Sequence, residues 1–122
     1  MRYYSDPLLA RIQSLVEDEV REGTHSLRAS YLARKYELPI AAIQSVLGDL
    51  VAIGDLQPHY HLLCSGRQQR YDVDREFTSL DQIPQNEITC NECGDVYLPS
   101  EENILVSFEP TDEYISTIAG AA

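Results

Sequence analysis

Apolar positions recur at helical spacing in three successive blocks along the first half of the chain. Leu8, Leu9, Ile12, Leu15, Val16 and Val20 share one face of a helix whose polar side carries Arg11, Glu17, Asp18, Glu19, Arg21 and Glu22. Asp6 before Pro7 supplies the start, the acid capping free N–H groups and the proline fitting the first helical position, and Gly23 supplies the end. Leu27, Tyr31, Leu32 and Tyr36 predict a second helix over 26–37, closed by Leu38-Pro39 because proline disfavours the helical conformation of the residue before it. Pro39 then suits the first turn of a third helix, whose apolar residues Ile40, Ile43, Val46, Leu47, Leu50 and Val51 run to Gly54. Leu32, Ile43, Leu47 and Leu50 are the expected core of the three helices. Residues 55–63 read as an extended strand, and 69–73 as its return after a turn at Ser65-Gly66.

The second half reads as short strands and turns. Ile88-Thr89-Cys90 leads into a tight turn and Val96-Tyr97 leads out of it. Ile104, Val106 and Phe108 alternate on one face of a further strand, expected to join the same small sheet after the turn at Pro99–Asn103. Between them, Phe77, Leu80 and Ile83 are spaced by threes before Pro84, which predicts that 74–87 forms a turn of helix or an ordered loop. Residues 109–122 hold three acids and no base, and read either as a short helix with Thr111 as cap or as a frayed end.

The segment from Leu27 to Leu63 resembles the winged-helix family. The resemblance rests on a helix reading Tyr31-Leu32-Ala33-Arg34-Lys35-Tyr36, a short turn, and a helix ending Leu47-x-x-Leu50-x-x-x-Gly54-x-Leu56. It implies an α+β fold, a three-helix winged helix whose β-hairpin wing extends into a small zinc-ribbon-like β unit. The corresponding divisions are 1–63 for the winged helix, 64–110 for the ribbon-like unit and 111–122 for an acidic C-terminal tail.

Candidate chemistry is concentrated in the ribbon. Cys90-Asn91-Glu92-Cys93-Gly94 has the form of a zinc knuckle, two thiols two residues apart before a glycine turn. The partner knuckle is incomplete, since Arg67 stands where Cys64-Ser65-Gly66 would lead to a second cysteine. A filled structural zinc site therefore needs a histidine beside Cys64, Cys90 and Cys93. His61 has the better spacing and His59 is the reserve. The other reading is a ribbon that has lost its metal and keeps its hairpins by packing. Three cysteines in a chain without an export pattern argue for reduced thiols or metal ligands over a disulfide framework.

Signatures of catalysis are missing. The sequence holds no glycine-rich phosphate loop, no Gly-x-Ser-x-Gly elbow and no His-Glu-x-x-His, and a site of three cysteines and one histidine is closed and structural. Cys90 and Cys93 lack the βαβ context of a redox pair, and His25 reads as a surface or turn residue. In joining a winged helix, a zinc ribbon and an acidic bias, the chain is similar in architecture to the transcription initiation factor E family of archaea and eukaryotes, whose modules dock on a polymerase. That family's longer helical linker is missing here. The likeness implies a winged helix that binds protein.

Charge sharpens the choice of partner. The formal net charge is −11: residues 1–60 carry eight acids and six bases, whereas 61–122 carry twelve acids and three bases. Such a field repels phosphate backbones, and the third helix presents Ala41, Ala42, Gln44, Ser45, Gly48 and Asp49 outward without a single Arg or Lys. The sequence thus points to a non-catalytic, cytoplasmic adaptor or regulatory subunit that binds protein within a larger bacterial or archaeal assembly. The rival reading is a DNA-binding transcriptional regulator using Arg34, Lys35, Gln44, Ser45, Arg67 and Arg70. No apolar run is long enough to span a bilayer.

Overall fold

The computed structural model describes residues 4–64, 73–91 and 93–120. Among them the fold is mixed α+β: α1 (Pro7–Arg21), α2 (Ala29–Tyr36), α3 (Ile40–Ala52), β1 (Leu56–Leu63), β2 (Val73–Phe77), β3 (Ile88–Thr89), β4 (Val96–Tyr97), β5 (Ile104–Pro110) and α4 (Asp112–Gly120). The chain forms two compact units, one from residues 1–57 with 108–122 and the other from 58–107. No helix among the described residues is long and apolar enough to cross a membrane.

The helices of the first unit start and stop for local reasons. The Asp6 carboxylate accepts the N–H groups of Leu8 at 2.8 Å and Leu9 at 3.3 Å, with Pro7 in the first turn of α1. Gly23, at φ +92°, ends the helix. The second helix begins at Ala29, later than the apolar spacing predicts. Leu27 is instead extended and exchanges both backbone hydrogen bonds with Phe108, each 2.8 Å, so neither its N–H nor its C=O is left for a helical turn. Glu37 closes α2 in the left-handed conformation, φ 54°, and Pro39 holds the next turn open until α3 begins.

Helices α1, α2, α3 and α4 pack in the pairs α1 with α3, α2 with α3, and α1 with α4. Ile12, Val16, Leu27, Leu32, Ile43, Val46, Leu47, Leu50 and Leu56 form the buried core. Each such side chain contributes about 1.5–3 kcal/mol when fully withdrawn from water. The stretch 111–120 belongs to this core rather than to a separate tail. Thr111 accepts the Tyr114 N–H at 3.3 Å and donates its hydroxyl to the Gly54 carbonyl at 3.1 Å, and α4 buries Tyr114 and Ile118.

The second unit is built on strands. Strand order in the larger sheet is β2-β1-β5, with β1 and β2 antiparallel in the register Tyr60 to Phe77, His61 to Glu76 and Leu62 to Arg75. A separate two-stranded sheet pairs β3 with β4. Two expectations are corrected here. Residues 73–77 are strand, the helical turn being confined to Leu80–Gln82, where Ser79 accepts the Asp81 N–H at 3.3 Å. Strand β5 joins β1 rather than the β3–β4 ribbon, and the residue it buries most deeply is Ser107, on the opposite face from Ile104, Val106 and Phe108. The expected turn at Ser65-Gly66 and the start of the return strand at 69–72 lie outside the described residues.

Candidate metal centre

The Cys90–Cys93 turn is set by backbone geometry. The Cys90 N–H donates to the Asp95 carbonyl at 2.8 Å and the Gly94 N–H returns to the Cys90 carbonyl at 3.0 Å. The chain can close this tightly because residue 94, at φ +78°, has no Cβ to clash. Immediately before the turn, Arg75 donates to the Thr89 carbonyl at 2.6 Å, tying β2 to β3.

Cys64 arrives at the end of β1. Asn103, buried at the end of the turn that precedes β5, donates its amide to the Leu63 carbonyl at 3.2 Å and accepts the Ser100 hydroxyl at 2.9 Å. Cys64 and Cys90 are buried with Leu62 and Tyr97, against which Phe77, Ile88 and Ile104 pack; Cys93 is exposed. None of the three cysteines is in a disulfide, their sulfurs lie within 4.8 Å of one another, and Cys64 and Cys93 approach to 3.4 Å.

That grouping is close enough to hold a metal ion. A tetrahedral zinc at about 2.3 Å from each sulfur sets its ligands about 3.8 Å apart, so the spacing is compatible with zinc. Thiolates are also soft donors of the kind that select it. Among the described residues no fourth Cys, His, Asp or Glu joins the group.

The structure does not bring His61 to the thiols. Its Nδ1 faces Glu76 at 3.0 Å and its Nε2 faces the Ser107 hydroxyl at 2.9 Å, so both ring nitrogens are engaged across the sheet. Strand geometry explains this. Side chains alternate, so Leu62 and Cys64 share the buried side while His61 points to the other. His59 also lies in β1, outside the thiol group. Ser107, His61 and Glu76 stand in the order of a hydrolytic triad, yet Ser107 is 1 % exposed and its hydroxyl is withheld from solvent. The arrangement ties the central strand to both neighbours.

The nucleic-acid candidates divide. Gln44 and Ser45 are exposed on α3 and Arg34 is exposed on α2, while Arg67 and Arg70 lie outside the described residues. Lys35 is committed elsewhere: its ammonium donates to Glu19 at 2.5 Å. The same carboxylate accepts the Tyr36 hydroxyl at 2.5 Å and the Thr24 hydroxyl at 2.9 Å. Burial alone pushes the Glu19 carboxyl up, but the hydrogen bonds from Lys35, Tyr36 and Thr24, with the Lys35 charge, outweigh it and hold the group below the usual carboxylate range. Lys35 is raised by its bond to Glu19. Gln13, Glu19, Asn103 and Ser107 are buried polar residues that the sequence pattern does not single out. No protein-family model matches the chain, and comparison with curated proteins and with solved structures finds no similar one.

Proposed function

We propose that this chain is a non-catalytic protein-interaction adaptor or regulatory subunit of a larger assembly. Its helices and first hairpin serve as a winged helix, and the wing continues into a zinc-ribbon-like unit in which Cys64, Cys90 and Cys93 hold one structural zinc ion. Bound there, zinc supplies a cross-link between the end of β1 and the β3–β4 turn.

The observation that carries the adaptor reading is the outer face of α3. Ile40, 45 % exposed, lies there with Ala41, Gln44, Ser45 and Gly48, and the face holds no cation. Its one charge, Asp49, is negative and accepts the Tyr4 hydroxyl at 2.6 Å. A mildly apolar, nearly neutral surface suits a protein partner. A phosphate backbone is held mainly by Lys and Arg, and this face offers neither.

A photo-crosslinking residue at Gln44 or Ser45 tests this in the source organism. The same label at exposed Ser14 of α1 serves as control. Discrete protein adducts are expected from the α3 positions and not from the control. Adducts to DNA, or the same products from all three positions, overturn the reading.

A further inference from the structure

The stretch 76–107 carries seven acids and no Lys, Arg or His. It also builds, entirely from its own residues, the walls of an open groove of about 320 Å³. Leu80 from the 3-10 turn, Ile83 and Pro84 after it, and Leu98, Pro99 and Ile104 line the groove; Gln85 and Ser100 are its polar members. Leu80 is 58 % exposed and Leu98 54 %. Two large aliphatic side chains left in water in one groove form an adhesive patch. Asp81, Glu87 and Glu102, chain neighbours of the lining residues, are all exposed.

We propose that this groove receives a peptide segment of a protein partner, in which one or two bulky apolar side chains are flanked by Lys or Arg. This rests on the adaptor reading and names the partner's chemistry. The apolar walls supply the anchor site, and the two prolines give a stiff rim that loses little entropy on binding. The surrounding charge selects the sign of the flanks, because a stretch in which acids far outnumber the nearby base Arg75 steers cations in and disfavours anions. By the same argument nucleic acid and anionic lipid are repelled. A second copy of this chain, at −11, brings more acid to acid.

A random peptide library displayed on phage and selected on the immobilised full chain tests the proposal. Enriched sequences are expected to place Lys or Arg beside Leu, Ile or Phe, and a synthetic copy should bind less tightly as salt is raised. Leu80→Asp and Leu98→Asp should each weaken that peptide by about tenfold or more, the loss that follows removal of an interface anchor. Leu98→Ser is a milder check, and an unchanged circular dichroism spectrum shows that each variant is folded. Ile53→Asp, exposed after α3, should leave binding unchanged. Enrichment of acidic or uncharged peptides, no enrichment, or affinity indifferent to Leu80 and Leu98 overturns the groove. If Gln44 still crosslinks to protein in that event, the adaptor reading stands without it. Loss of both results removes both.

Discussion

Glu19 is 2 % exposed on α1, where a carboxylate without partners would lose its hydration and be driven neutral. Hydrogen bonds from Lys35, Tyr36 and Thr24 reverse that outcome and hold the folded-state carboxyl below the usual carboxylate range. The sign follows. A depressed carboxyl contributes stability that is complete above the unfolded-state value and is lost as pH falls through the lower folded-state value. Glu19→Gln should cost about 1–3 kcal/mol near neutral pH, since its amide N–H groups enter a site made of donors. Urea denaturation of both proteins from about pH 6 to about pH 3 should show the gap closing at the acid end. A gap that is constant across the series would show that the ionised form is not what the site stabilises. The same residue shows where the sequence is legible and where it misleads. Glu19 is three positions after Val16 and seven after Ile12, so the helical period places it on the buried face, but its charge assigns it to the polar one. His61 misleads in the opposite way. Its spacing to Cys64 suits a knuckle, but strand alternation turns the two side chains apart, and the partners that claim it, Glu76 and Ser107, are distant in sequence.

At the scale of elements, α1 and α3 were legible because each carries its own start and stop, Asp6-Pro7 with Gly23 and Leu38-Pro39 with Gly54, beside an apolar face that repeats within a few residues. Leu47, fully buried in α3, is one of the residues that this periodicity selects, and Leu47→Ala should lower stability by about 2–5 kcal/mol in a denaturant titration. A negligible loss would mean that α3 turns a different face to the core. Strand partners were less legible. Alternation in β5 names its faces, yet whether it pairs with β4 or β1 depends on register over dozens of residues, and the buried Ser107 weakens even the face assignment. The knuckle lies between these cases: Cys90, Cys93 and Gly94 announce a turn locally, and only the fold brings Cys64 to it. Protein purified under reducing conditions without chelator should contain a single zinc ion per chain, and Cys90→Ser should abolish it. His61→Ala should leave the zinc content unchanged. Chelation should lower the melting temperature of the metal-loaded protein, because binding energy at such a site is folding energy. Metal at background level in protein refolded with zinc would leave Cys64 and Cys90 in a packed, metal-free core with Cys93 exposed beside them.

The whole molecule sets the remaining choice through its field. A formal charge of −11, with twelve of twenty acids in residues 61–122, gives long-range repulsion toward any polyanion, so DNA binding would need a local cluster of cations strong enough to prevail. Among the described candidates Lys35 is already paired with Glu19, Arg34 is exposed on α2, and the outer face of α3 carries no base. Few phosphates can then be neutralised, and few counterions released. Selection from random duplexes, followed by a salt titration, should therefore yield no enriched site, only weak sequence-blind association that disappears between about 50 and 200 mM salt. A regulator predicts the opposite, a discrete motif held at physiological salt with a Kd of about 10⁻⁸ M or tighter, and loss of specificity at one base pair in Gln44→Ala. The salt slope separates the two even where both show a retarded band. Non-specific affinity scales with the number of phosphate contacts alone, whereas base readout by Gln44 persists once those contacts are screened. Recovery of a salt-resistant motif would establish the DNA-binding reading against the charge of the chain, and would require that cations from residues 65–72 reach the duplex.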